Sequence, residues 1–148
     1  MITTDFTLTL TTERTPQEVF KAITNVHGWW SGYYSEKITG SMEQPGDVFS
    51  FRAGDGVHYS KQKLVEVIPN KKMVWLVTES ELSFVEEKYE WTGTKVIFDI
   101  SEKEGKTELV FTHEGLNPNF ECYESCAPAW TQYLNNKLLP LINTGKVQ

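Results

Sequence analysis

Few residues in this chain are suited to chemistry, and each has a structural competitor. His113 closes the run Leu109-Val110-Phe111-Thr112-His113, whose odd positions share one face of a strand. If Leu109 and Phe111 face the interior, so does His113, which places an imidazole at the end of whatever lies inside. An imidazole titrates near neutrality, so it can hydrogen-bond a ligand or act as a general acid or base. The competing reading ties the ring to the backbone of the neighbouring loop and orders the turn at Gly115. Glu114 points to the opposite face, and no acid is placed to orient the ring.

Cys122 and Cys126 are the only cysteines. Four residues apart in a helical pattern, they face the same way but are poorly placed for disulfide geometry, so both are expected as free thiols. With His113 they offer three soft ligands, but structural zinc takes four, and no fourth stands at a familiar spacing. Neither thiol follows a strand-to-helix turn that would expose and activate it, which disfavours a Cys-His hydrolase. The chain also lacks a Gly-rich phosphate loop, a Ser nucleophile elbow and a dinucleotide fingerprint. The expectation is no metal, no cofactor and no assigned catalytic residue.

The elements that must position these groups follow from patterning. Helix-length apolar stretches occur only after the first strand and again from about Phe120 to Asn143, with strand-like alternation between them. Phe6, Leu8 and Leu10 alternate with threonines over Thr3 to Thr12, the mark of a half-buried strand. Thr15-Pro16 supplies an N-cap and a first-turn proline for a short helix with Val19, Phe20 and Ile23 as its apolar stripe. Val26 to Ser31 reads as a second short helical turn, its Trp29 and Trp30 plugging one end of the structure.

Strands are then expected over Ile38 to Met42, Asp47 to Ala53, Val57 to Ile68, Lys72 to Glu79, Lys95 to Glu102 and Thr107 to His113. Pro45-Gly46, Gly54-Asp55-Gly56, Pro69-Asn70 and Glu104-Gly105 separate them as tight turns, which predicts an antiparallel meander. Ser80 to Thr92 carries no clear pattern. The last helix bears Trp130, Leu134, Leu138 and Leu141 on one face. It meets Pro128, which ends a short opening helix or kinks a single one, and Pro140, which bends the final turn before a stop at Gly145.

A chain of 148 residues is the usual size of one domain, and 1–148 is read as one. Twenty acids against 14 Lys and Arg, a net charge of -6, leave no basic patch for nucleic acid. The start lacks the basic and apolar regions of a signal peptide, and no apolar run approaches the ~18 residues of a membrane span. A cytoplasmic protein, monomeric or weakly homodimeric, is expected.

Aromatic residues make up 13% of the chain, five of them Trp. Large flat side chains either fill a core or converge around a cavity. With regular alternation, Phe49 and Phe51, Trp75 and Val77, and Val96 and Phe98 point inward from three strands, joined by Phe111 and His113 from a fourth. Cys126, Trp130, Tyr133 and Leu134 face them from the helix, with Trp30 at one end and the hydroxyls of Tyr33 and Tyr59 at the rim. Such a set suits a small, largely apolar ligand fixed by a few polar groups.

The order of one strand, two short helices, six strands and a long C-terminal helix resembles the helix-grip layout of the START-like superfamily (SRPBCC), which includes the birch-pollen allergen. Thr15-Pro16-Gln17-Glu18-Val19-Phe20-Lys21-Ala22, Trp29-Trp30, Pro45-Gly46, Glu66-Val67-Ile68-Pro69-Asn70-Lys71 with Val74-Trp75, and Thr112-His113-Glu114-Gly115-Leu116 resemble the branch of homologues of the activator of the heat-shock-protein-90 ATPase. The tail from Cys122 through Trp130 to Lys146 is similar too. Pro128 departs from the small or polar residue expected there.

The resemblance implies an α+β fold, a curved antiparallel sheet wrapped around the C-terminal helix with a cavity between them. Three functions are then open: binding a small hydrophobic molecule, acting on a heat-shock chaperone as a co-chaperone-like domain, or a START-like cyclase or hydrolase step using His113.

Overall fold

The computed structural model describes residues 4–40 and 42–147 of the chain. The expected strand start at Thr3, and Ser41 in the run Ile38 to Met42, lie outside the described residues. Strand β1 (Phe6–Thr12) keeps Thr7, Thr9 and Thr11 exposed and buries Leu10, as its alternation requires. Helix α1 (Pro16–Thr24) starts at a reciprocal cap: Thr15 Oγ1 accepts the Glu18 amide at 3.2 Å, and Glu18 Oε1 accepts the Thr15 amide at 3.4 Å. Val19, Ala22 and Ile23 form its buried face. Helix α2 (Val26–Trp29) follows directly, and the Trp29 indole N–H donates to the Ile23 carbonyl at 3.1 Å.

Six strands follow: β2 (Lys37–Gly40), β3 (Val48–Ala53), β4 (His58–Ile68), β5 (Lys72–Leu82), β6 (Lys95–Lys103) and β7 (Lys106–Glu114). They form one antiparallel sheet in the order β1-β7-β6-β5-β4-β3-β2, a meander closed by the first strand lying against the last, from Phe6 opposite His113 to Thr12 opposite Thr107. The β4–β5 register shifts between Lys61 and Gln62 and between Leu64 and Glu66. Such bulges bend and twist a sheet, which here curls it around the helix. Both irregularities spare the inward runs of β3, β6 and β7, so the predicted faces hold there. β5 runs three residues past its expected end at Glu79, and the patternless segment is a turn-rich strap over 83–93.

The C-terminal helix runs through Pro128 as α3 (Tyr123–Tyr133), passes a wide π turn at Leu134–Leu138, and continues as α4 (Leu139–Thr144). In the wide turn the Leu139 amide bonds to the Leu134 carbonyl, five residues back. Pro140 explains this placement: with no N–H to give and a ring that crowds the preceding turn, it cannot extend an ordinary ladder. Gly145, at φ 72°, takes the left-handed conformation that stops the helix and donates to the Leu141 carbonyl at 2.8 Å. Trp130, Leu134, Leu138 and Leu141 are all buried against the sheet. No described helix is long and apolar enough to cross a membrane.

The cap at α1 sets the entry of the chain onto the sheet. Thr15→Ala is expected to lower stability by about 1 kcal/mol, read as a lower urea midpoint at unchanged slope. An unchanged midpoint would show that the box contributes nothing.

Candidate functional site

Most of the helix–sheet interface is solid. Trp30 stacks on Phe51 with ring centroids 3.8 Å apart and on Trp130 at 4.9 Å, while Trp75 packs edge-on against Phe98 at 4.9 Å. Phe49, Trp75, Val77 and Val96 are therefore core residues, as are Phe98, Phe111 and Leu134, and none of them lines the hollow of about 220 Å³ at the end of this interface. Rings expected around a cavity interlock and fill it instead.

The hollow that remains, about 220 Å³, lies at one end of the interface, where the β3–β4 turn, the strap and the start of α3 meet. Of the predicted set, Trp30, Phe51, Cys126, Trp130 and Tyr133 line it. Trp91, His58, Ala53 and Ala129 complete the walls. Tyr34, Val57 and Phe84, each more than two-fifths exposed, stand at its mouth.

The two tyrosines expected at the rim are displaced. Tyr33 leans its ring on Tyr133, 5.3 Å away, beside the hollow. Tyr59 is on the outer face, because the inward residues of β4 are His58, Ser60, Gln62 and Leu64; its ring instead carries the Arg52 guanidinium at 4.3 Å. That inward run is mostly polar, so hydrophobic alternation could not reveal its face or the place of His58. Trp91 was hidden in the segment without pattern.

His113 faces inward as expected but stands behind the wall, fully buried. The Trp130 indole N–H donates to its Nδ1 at 3.1 Å, and Nε2 lies 2.8 Å from Thr94 Oγ1. An indole nitrogen only donates, so Nδ1 is the acceptor and Nε2 carries the hydrogen. Thr94 then passes its own proton on to the Trp91 carbonyl, at 2.6 Å. The ring is thus tied by two side chains, neither to the loop backbone nor to a ligand in the hollow. Burial, reinforced by the charge His58 would carry, pushes its pKa down to about 3. His58 is lowered to about 4 by burial alone.

Two further devices close the site. The Tyr133 hydroxyl donates to Glu36 Oε2 at 2.5 Å, and the amides of Gly32 and Tyr33 donate to the same carboxylate. Burial opposes the Glu36 charge, but these hydrogen bonds outweigh it and hold its pKa below the usual value. Across the mouth, Glu90 of the strap accepts the Glu121 and Cys122 amides at 2.7 and 3.2 Å, where α3 begins. Glu121 in turn accepts the strap amides of Glu86 and Glu87, both at 3.0 Å. Trp91 Nε1–H points at Cys122 Sγ, 3.4 Å away. Both cysteines are free and buried, and the hydrogen bond that Cys126 gives Cys122, together with burial, pushes the Cys126 thiol far up. Among the described residues no cluster of His, Cys, Asp or Glu could hold a metal ion.

Residues 13–142 match the family described as "Activator of Hsp90 ATPase homolog 1-like protein". Among solved structures, the Aha1 dimer from Colwellia psychrerythraea superposes with a TM-score of 0.74 at 23% identity, covering 99% of each chain. A protein from Bacillus halodurans gives 0.69 at 14% identity over 97% of this chain and 100% of that one. One from Chromobacterium violaceum gives 0.66 at 16% identity over 93% and 96%. At these identities the likeness speaks to the fold. No curated protein matches this chain.

The two neutral imidazoles tie stability to pH. Their folded pKa values lie below the ordinary 6.5, so the unfolded chain binds the extra protons. Stability from this source is complete above about pH 6.5 and falls as the pH drops toward 3 to 4, by about 2 kcal/mol per buried ring at pH 5. Urea unfolding at pH 7 and pH 5 should show this loss, and His113→Gln should shrink it. Equal stability at both pH values would mean that the rings are not held neutral.

Proposed function

The chain belongs to the family of Activator of Hsp90 ATPase homolog 1-like proteins, and from that premise we propose that it is a START-like domain binding a small, largely hydrophobic ligand between its sheet and its C-terminal helix. The observation that carries this reading is the aromatic-walled hollow of about 220 Å³ beside an otherwise solid core. An engineered apolar cavity of about 150 Å³ accepts benzene, so this volume suits a planar molecule of roughly ten heavy atoms. Tyr34, Val57 and Phe84 offer an apolar approach to it. His113, with both ring nitrogens engaged behind the wall, does not favour an acid–base step.

The family's name supports a second reading, action on a heat-shock chaperone ATPase as a monomer or weak homodimer. A chaperone ATPase assay separates the two, since a mouth-blocking ligand leaves stimulation unchanged if the contact surface lies elsewhere.

Native mass spectrometry of freshly purified protein is expected to reveal a bound small molecule. Naphthalene should bind by calorimetry, and Ala129→Phe, which pushes a ring into the hollow, should weaken it at least tenfold while the protein still unfolds cooperatively. Undiminished binding in that variant would remove the hollow as the site.

A further inference from the structure

The hollow is apolar within, and the charge around its mouth is one-sided. The strap over 83–93 and the run 121–125, where α3 begins, hold five acids, Glu86, Glu87, Glu90, Glu121 and Glu124, against a single base, Lys88. Four of these acids are exposed and Glu90 is half-buried. Contacts fix their place beside the opening. Glu121 accepts the amides of Glu86 and Glu87, two and three residues after Phe84 of the mouth. Glu90 accepts the amide of Cys122, whose sulfur faces the indole N–H of the wall residue Trp91. Glu124 directly precedes Ser125, which also lines the hollow.

These charges have no internal counter-ion. The ion pairs of the described residues join Arg14 to Glu18, Lys61 to Glu79 and Lys72 to Glu66, and none involves the five acids. Backbone amides neutralise no charge. They favour it instead, and those of Glu86 and Glu87 hold the Glu121 carboxyl below its usual range. Two cations of neighbouring elements are engaged on rings: Arg52 lies over Tyr59 at 4.3 Å, and Lys137 over Tyr33 at 5.0 Å. A low-dielectric cleft rimmed by one sign of charge focuses the field at its opening and concentrates ions of the other sign there. The exposed rings of Tyr34 and Phe84 add aromatic surface at the same place, on which an organic cation can rest as Arg52 and Lys137 do on theirs.

We propose that the hollow selects organic cations, molecules with a compact apolar body that seats inside and an ammonium group that stays at the mouth among the rings and carboxylates. The proposal rests on the reading of the hollow as a ligand site and adds to it the charge of the ligand. Burial of the body supplies the affinity, and the acidic rim decides between a cation and an anion of similar shape. An ammonium left at the mouth keeps much of its water, so little desolvation offsets the attraction, whereas the carboxylate of an anionic analogue meets repulsion.

Three naphthalenes of similar shape test this by calorimetry: 2-naphthylmethylammonium, neutral 2-ethylnaphthalene and 2-naphthoate. At low salt the ammonium should bind at least tenfold more tightly than 2-naphthoate, about 1.4 kcal/mol, with 2-ethylnaphthalene between them. High salt should narrow that spread. The triple variant Glu86→Gln, Glu87→Gln, Glu124→Gln removes three exposed charges, and it should weaken the ammonium about threefold while leaving 2-ethylnaphthalene unchanged. Ala129→Phe, which fills the hollow, should weaken both compounds. Equal affinity for the ammonium and 2-naphthoate, or an ammonium affinity that the triple variant leaves untouched, overturns the charge preference while leaving the hollow as a site. An ammonium that binds Ala129→Phe undiminished is held by the surface acids alone, which also overturns the proposal. If none of the three compounds binds the wild-type protein, the ligand-site reading falls and the charge preference with it.

Discussion

The structure depends on one directed run of hydrogen bonds, from the Trp130 indole to His113, from His113 to the Thr94 hydroxyl, and from Thr94 to the Trp91 carbonyl. It joins the C-terminal helix, the last strand and the edge of the strap through groups that are all buried. Each neutral link adds only about 1 kcal/mol net, but leaving one of these groups unpartnered costs about 1–3 kcal/mol. The rotation of the helix over the sheet is therefore set by more than apolar contact. Its face must present an indole N–H at one point, and that point is the back wall of the hollow. Gly115 fits this constraint: at φ 105° it lies against Thr94, and a Cβ there would sit 2.8 Å from the threonine methyl.

The hollow follows from how the large rings divide the interior. Between α3 and strands β5 to β7, Trp29, Trp30, Trp75, Phe98 and Phe111 meet at stacking and edge-on distances that leave no room. On the N-terminal side of Trp130, α3 presents only the small side chains of Ala129 and Cys126 to the hollow, which Ala53 also lines. Small residues at that end, beneath a strap held by carboxylates and by the packing of Trp91, leave the unfilled volume.

The fold was largely legible in the sequence because its elements carry strong periodic signals. Thr15-Pro16 located α1, alternation located the strands of the meander, and Gly145 located the stop of the last helix. The site was legible only in part. Trp30, Phe51, Cys126, Trp130 and Tyr133 reach it, but inward orientation alone does not distinguish a ring that fills a core from one that borders a space. That difference depends on volumes summed over several elements. His58 escaped because the inward run His58, Ser60, Gln62 is polar, so that periodicity has no contrast to detect. Trp91 escaped because the strap is shaped by long-range hydrogen bonds to Glu121, which leave no local signature.

The exchange of carboxylates between Glu90 and Glu121 couples two segments that are far apart along the chain. Each acid grips the backbone of the other's segment, so the strap and the first turn of the helix cannot lift separately. They are fastened to each other as one clasp beside the hollow. Trp91, in the same strap, meets His58 edge-on at 4.6 Å and lies parallel to Trp130 at 5.8 Å, so the clasp also holds this wall of the hollow in place.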